Sequence, residues 1–208
     1  RKYSFRNNKN VRNSIMATYK SIRYSTPLVN ASSQVLLKTV TVSDGDGTLT
    51  ISGLNSDYKE YIITHLNYKS SSDGEGLAFQ GTTDGSNYNI AMTTTFFAAY
   101  HLEDDSGTSL AYNTAGDQAQ GTGFNPLTRN VGTGADEGTS GYIHLFNPSD
   151  TTFVKHFIAR NQANAANDNA YDNYSAGYFN TTSAITAIQF KATSGNLEAG
   201  TFKLYGIK

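Results

Sequence analysis

An all-β domain is what this sequence predicts: a jelly-roll-like sandwich of two antiparallel sheets, preceded by an extended basic N-terminal arm. Three observations carry that expectation. Asn, Ser and Thr number 20, 20 and 25 among 208 residues, beside 19 Gly and 14 Tyr. Such usage is poor in helix formers and rich in turn formers and in β-branched and aromatic residues. Apolar residues alternate with polar ones in short runs punctuated by Asp-Gly and Asn-Pro, the period-two pattern of half-buried strands. Charge is divided unevenly. Residues 1–25 hold Arg1, Lys2, Arg6, Lys9, Arg12, Lys20 and Arg23 with no acid, which is +7, and the remaining 9 basic and 17 acidic residues leave −8.

The arm, residues 1–28, shows no sustained period and ends near Pro27. Its first residue is Arg, as expected of a chain that was cut or is described from an internal point. A basic arm on an acidic body suits docking onto a negative protein lattice or a neighbouring copy. Nucleic acid is the poorest fit, because the arm lacks dense Arg/Lys clusters and the body would repel phosphate.

The body, residues 29–208, opens with Val35, Leu37, Val40 and Val42, then Asp44-Gly45-Asp46-Gly47, then Leu49 and Ile51. Asp-Gly between alternating runs predicts a hairpin with positive φ in the turn. "EYIITHLNYKS" and "GLAFQGTTDGSNYNIAMTTTFFAAYHL" read alike, with turns at Asp73-Gly74 and Asp84-Gly85. Residues 103–140 are Gly-rich and weakly apolar, which predicts a long excursion with one short strand near Leu110–Tyr112. "GYIHLFNPSDTTFVKHFIAR" predicts two strands around Asn147–Asp150, and the polar stretch "NQANAANDNAYDNYSAG" predicts a loop. A last hairpin is expected from Ile185, Ile188 and Phe190 to Phe202 and Leu204. The chain stops just past Ile207, within what reads as a core strand. A jelly roll accounts for this, since its final strand is often central; the attachment device is then expected at the other end. Eight to ten strands and no helix are expected.

With no cysteine, the chain offers no disulfide, thiolate metal site or cysteine nucleophile. No apolar run approaches the ~20 residues of a membrane span. Asp44–Gly47 is not a calcium loop, because the ligand positions that would follow hold Thr48 and Asn55. Glu103, Asp104 and Asp105 read as a solvated loop. His65, His101, His144 and His156 show no zinc-site spacing; His144 and His156 are expected on paired strands, where they could meet. There is no Gly-x-Ser-x-Gly elbow, and of the acids only Glu60, opening a strand, is placed for a sheet face. No catalytic residue and no cofactor is expected. Tyr171, Tyr174, Tyr178 and Phe179, grouped among Asn and Asp, suit either a protein or carbohydrate contact surface or a cap on the end of the sandwich.

Three stretches, "GYIHLFNPSDTTFVKHFIAR", "TTTFFAAYHLEDDSGTSLAY" and "NTTSAITAIQFKATSGNLEAGTFKLYGIK", together resemble a family of small virion proteins of tailed bacteriophages, common in marine and cyanobacterial phages. The family pattern is a region like "LFNPSDTTFVKHF" followed by a C-terminal hairpin ending in Leu-Tyr-Gly-Ile. The likeness covers about residues 35–208 and leaves the arm outside. It implies a head decoration (cement) protein, or a tail-fibre or receptor-binding domain, without catalytic residues. The partners expected are the major capsid protein or other virion proteins, further copies of the chain, and a host-surface glycan in the receptor-binding case. Location on the capsid surface or tail follows, with no nucleic acid or membrane partner. A carbohydrate-binding module is the reading kept from outside that class, with an enzyme last.

Overall fold

The computed structural model describes residues 33–208. The expected arm, with Arg1, Lys2, Arg6, Lys9, Arg12, Lys20 and Arg23, lies outside the described residues. The strands are β1 (Gln34–Thr41), β2 (Leu49–Ser52), β3 (Glu60–Ser70), β4 (Leu77–Thr82), β5 (Met92–Leu102), β6 (Thr108–Tyr112) and β7 (Gln118–Gly121). They continue with β8 (Asn125–Pro126), β9 (Gly138–Phe146), β10 (Lys155–Ala165), β11 (Asn169–Phe179), β12 (Ala187–Ala192) and β13 (Leu197–Ile207). No helix occurs among the described residues.

Two antiparallel sheets form the sandwich. The larger runs β1-β13-β3-β9-β10-β11-β5-β6, with β7 also on β5; the smaller runs β2-β12-β4-β8. With β5–β7 and β10–β11 set aside, eight strands remain. In chain order, the first, eighth, third and sixth of these lie side by side in one sheet. The second, seventh, fourth and fifth make the other, which is the jelly-roll order with its two Greek keys. The two insertions meet, β11 on β5, and widen the larger sheet beyond β9.

This topology corrects four local expectations. The Asp-Gly turns do require positive φ, at Gly45 (89°), Gly74 (71°) and Gly85 (79°). They are not hairpins, however, because each carries the chain from one sheet to the other. The expected last hairpin is likewise a crossing, with β12 and β13 in opposite sheets. The hairpin around Asn147–Asp150 does form, between β9 and β10. The excursion over 103–140 holds β7 and β8 besides β6, and the polar stretch after Arg160 is no loop: it continues β10 and makes most of β11.

The core lies between the sheets. Phe79 meets Phe157 edge-on at 5.0 Å and Phe179 at 5.9 Å, and Phe190 lies 5.0 Å from Phe202. All five rings are fully buried, each contributing about 1.5–3 kcal/mol of apolar burial. A bulge in β3 keeps that pattern in phase. His65 and Tyr68 both face inward, so the two residues between them, Leu66 and Asn67, both face out, and the pairing with β9 shifts there. Asn67 sits at φ 51° and donates its backbone N–H to Ser140 Oγ at 3.0 Å.

Beneath the widened part of the sheet the packing turns polar. Thr94 Oγ1 donates to Asn125 Oδ1 at 2.8 Å, and Asn125 Nδ2 reaches Ser175 Oγ at 3.3 Å. Asn161 Nδ2 donates to the Leu127 carbonyl at 3.1 Å. These buried amides fasten β8 and the residues after it to β10, β11 and β5.

The Asn147–Val154 connection is fixed by its own side chains. Asp150 Oδ1 accepts the N–H groups of Thr152 (2.6 Å) and Phe153 (2.7 Å), which hold its carboxyl below the usual carboxylate range. Lys155, buried at the start of β10, donates to the carbonyls of Phe153 (2.6 Å) and Thr181 (3.2 Å). Burial lowers its pKa. Lys155→Met keeps the stem but strands both carbonyls. Urea unfolding should show a loss of about 1–3 kcal/mol, and an unchanged midpoint would mean that water replaces the ammonium.

Candidate interaction face

The side of the larger sheet that faces away from the core is the broadest feature of the body. On β10 every second residue is turned outward, His156, Ile158, Arg160 and Gln162. Strand register extends each of these into a row.

The row through Ile158 crosses seven strands. It runs Leu36, Tyr205, Ile62, His144, Ile158, Ala176 and Thr95. At about 4.8 Å per strand it spans roughly 29 Å. Leu36 and Ile158 are each about half exposed, at 53% and 51%. The row through Arg160 holds Tyr142, Arg160, Tyr174, Phe97 and Tyr112. Here the Tyr174 and Phe97 rings stack at 4.7 Å, 5° from parallel, and the Arg160 guanidinium lies 5.0 Å over the other side of Tyr174. Arg160 is bound to Asp172 through Nε (3.2 Å) and Nη2 (2.7 Å), and Tyr174 donates its hydroxyl to the same carboxylate at 2.9 Å. That hydrogen bond raises the Tyr174 pKa, and the Asp172 carboxylate raises that of Arg160.

Stacking and the guanidinium together cover the Tyr174 ring and one face of Phe97, which makes a stiff ridge of this part of the face.

Among the four aromatics expected at a contact surface, Tyr174 and Tyr178 face outward in these rows. Phe179 does not: it is fully buried in the core against Phe79 and Phe157. Tyr171 is half-buried on the opposite side of β11 from Tyr174, stacked on Tyr100 at 5.9 Å. Strand alternation separates the pairs, since even-numbered positions of β11 point out and odd ones in. Read as a loop, the stretch gave no such division. The exposed residues that sequence reasoning missed are Tyr142, Phe97, Tyr112, Ile158 and Leu36. Alternation along "GYIHLF" and "MTTTFFAAYHL" is the signal that could have marked the first two.

The histidines are also placed. His144 and His156 lie on paired strands, yet the register sets His144 beside Ile158 and His156 beside Tyr178. His144 instead meets Glu60, Nε2 to Oε2 at 2.8 Å. His101 binds Asp105 at 3.0 Å in the exposed acidic loop. His65 is buried, without a hydrogen-bond partner for Nε2. Among the described residues no group of three or more His, Asp or Glu is placed to hold a metal ion.

No family model, no curated protein and no solved structure matches this chain.

Proposed function

We propose that the chain is a virion surface protein of a tailed phage, a capsid decoration protein, that binds its protein partner through the outer face of the larger sheet. The observation that carries this reading is the row from Leu36 to Ile158, in which Leu36, Tyr205, Ile62 and Ile158 are apolar or aromatic and His144, paired with Glu60, is the one polar member. Extended apolar surface of this kind marks interaction sites on soluble proteins, and the aromatic ridge beside it adds Tyr and Arg, residues enriched at interfaces. The jelly-roll order agrees, being common in viral capsid proteins, although fold alone does not assign function. The basic arm suits an electrostatic clamp on an acidic neighbour. The resemblance in "LFNPSDTTFVKHF" supports the same reading.

The test is to locate the chain in purified particles of the phage that encodes it, with quantitative mass spectrometry for copy number. A copy number on the scale of the capsid subunits is expected. One on the scale of the tail fibres would make it a receptor-binding component, and absence from particles would overturn the reading. Re-addition of purified Ile158→Asp protein to particles lacking the chain should give much weaker decoration than wild type, because a carboxylate would be buried at the interface.

A further inference from the structure

The larger sheet ends at β6, and that edge differs from the other edges of the sandwich. An edge strand presents unpaired main-chain groups, and proteins usually blunt it with charge, proline, a bulge or short length. β1 carries Lys38 and a register shift between Leu36 and Lys38. β7, in line with β6 along β5, has a register shift of its own and Gln120 at φ 54°. In the smaller sheet, β2 is four residues long, and β8 is two residues long and ends in Pro126. β6 has none of these devices. It pairs with β5 without a shift, and its sequence, Thr-Ser-Leu-Ala-Tyr, holds no charge, glycine or proline. Its central residue, Leu110, is 71% exposed, more than any other large apolar side chain among the described residues. Ala111 and Tyr112 are exposed beside it.

The hydrogen bonds to β5 fix which groups of this strand are open. Asn113 donates its N–H to the Phe96 carbonyl at 2.8 Å, and Leu102 donates to the Gly107 carbonyl at 3.0 Å. By the alternation of an antiparallel ladder, Ser109 and Ala111 then bond to β5, and Thr108, Leu110 and Tyr112 turn their N–H and C=O groups outward. No other described residue bonds to those main-chain groups.

We infer that β6 pairs antiparallel with the β6 of a second copy of the chain, about a two-fold axis at Leu110. In that register Leu110 faces its own counterpart and Thr108 faces Tyr112 on both sides of the axis. All three outward-turned residues are then matched, and each facing pair exchanges two hydrogen bonds. A slip of two residues would set Thr108 or Tyr112 against a turn. The strand is its own complement in chemistry too. Thr108 beside Tyr112 is a β-branched–aromatic pair, a favourable cross-strand neighbour, and no like charges meet within the strand. The axis stands perpendicular to the sheet, so both outer faces look the same way and the two larger sheets become one. Five residues a side make a small contact, of the size found in transient interfaces. Pairing is therefore weak in free solution and tightens where copies are held close together. Asp105 and Asp117, in the turns flanking β6, surround it with like charge, so salt strengthens it. The inference does not rest on the virion reading.

Sedimentation velocity of the full chain, from low micromolar to near-millimolar concentration, should show a concentration-dependent dimer, more abundant at high salt than at low. Leu110→Lys puts a charge on the open edge and should weaken dimerisation by about tenfold or more, with the melting temperature unchanged. Cysteine reports the register, since the chain has none of its own. Under mild oxidation Leu110→Cys should form a disulfide dimer, because directly opposed residues lie within disulfide reach. Thr108→Cys and Tyr112→Cys should not cross-link alone but should do so when mixed. Ile158→Asp should dimerise as wild type does, which separates this result from the decoration test. A chain that stays monomeric at every concentration and salt would overturn the inference. So would a dimer that survives Leu110→Lys, as one made through residues 1–32 or through the outer face would. Thr108→Cys that cross-links to itself as readily as Leu110→Cys would also overturn it.

Discussion

Truncating Phe202 to alanine should cost about 3–5 kcal/mol, a large share of the 5–15 kcal/mol that a domain of this kind holds in reserve. The ring is fully buried, packed 5.0 Å from Phe190 across the sandwich and 5.8 Å from His65 on its own sheet. Removing it leaves a cavity that two rigid sheets cannot close. Thr201, half-buried on the other side of the same strand, should tolerate alanine within about 0.5 kcal/mol. Deleting residues 201–208 goes further. β13 lies between β1 and β3 and bonds to both, so the deletion separates β1 from the sheet and exposes a new edge. Insoluble protein is expected. A soluble product with cooperative urea unfolding would mean that β3 closes the sheet unaided.

The second large effect is one of pH. Burial pushes the His65 pKa down to about 3, from an ordinary value near 6.5. Above 6.5 neither the folded nor the unfolded chain protonates it, and this residue adds no pH dependence. Below 6.5 the unfolded chain takes up a proton that the native fold refuses until about pH 3. Stability should therefore fall with pH across that window, by up to about 1.4 kcal/mol per unit. Urea unfolding at pH 6.5 and 4.5 measures it directly, with a difference of about 2 kcal/mol. His65→Leu removes the titrating ring and should flatten the slope over this range. Below about pH 4 both proteins should weaken together, as Asp84, Asp104 and Asp150 lose the hydrogen bonds that hold their carboxyls below the usual range. An equal slope in wild type and variant between pH 6.5 and 4.5 would show that the ring reaches water.

Much of the sandwich was legible because its buried positions are large and mostly apolar at period two, as with Tyr61, Ile63 and His65 in "EYIITHL" and Ile188 and Phe190 in "AIQF". Where the inward positions are filled otherwise, the signal vanished. β10 and β11 alternate as regularly as any strand, but their buried residues include Asn161, Ala163, Ala165, Asn169, Asn173 and Ser175. A hydropathy pattern cannot distinguish an amide that fastens a sheet to the segment beneath it from an amide in a loop. Strand partners were illegible for another reason. Asp73-Gly74 specifies a reversal with positive φ, and that local geometry serves a hairpin or a crossing between sheets equally well. The choice is made by which faces must meet in the core, which no short window contains. The contact face was half visible: Tyr174 and Tyr178 stood out by composition, whereas Ile158 and Leu36 gain their meaning only from the register that aligns them.

The jelly-roll order also sets a constraint in time. Val40 pairs with Phe202, and β5 pairs with β11 across the 66 residues between Leu102 and Asn169. Neither contact forms from neighbours in sequence, so the entropy of closing very long loops is spent before most strand pairs can reward it. Folding of the body should therefore be slow, milliseconds to seconds rather than microseconds. Its rate should respond more to shortening the connections between strands than to strengthening any single turn.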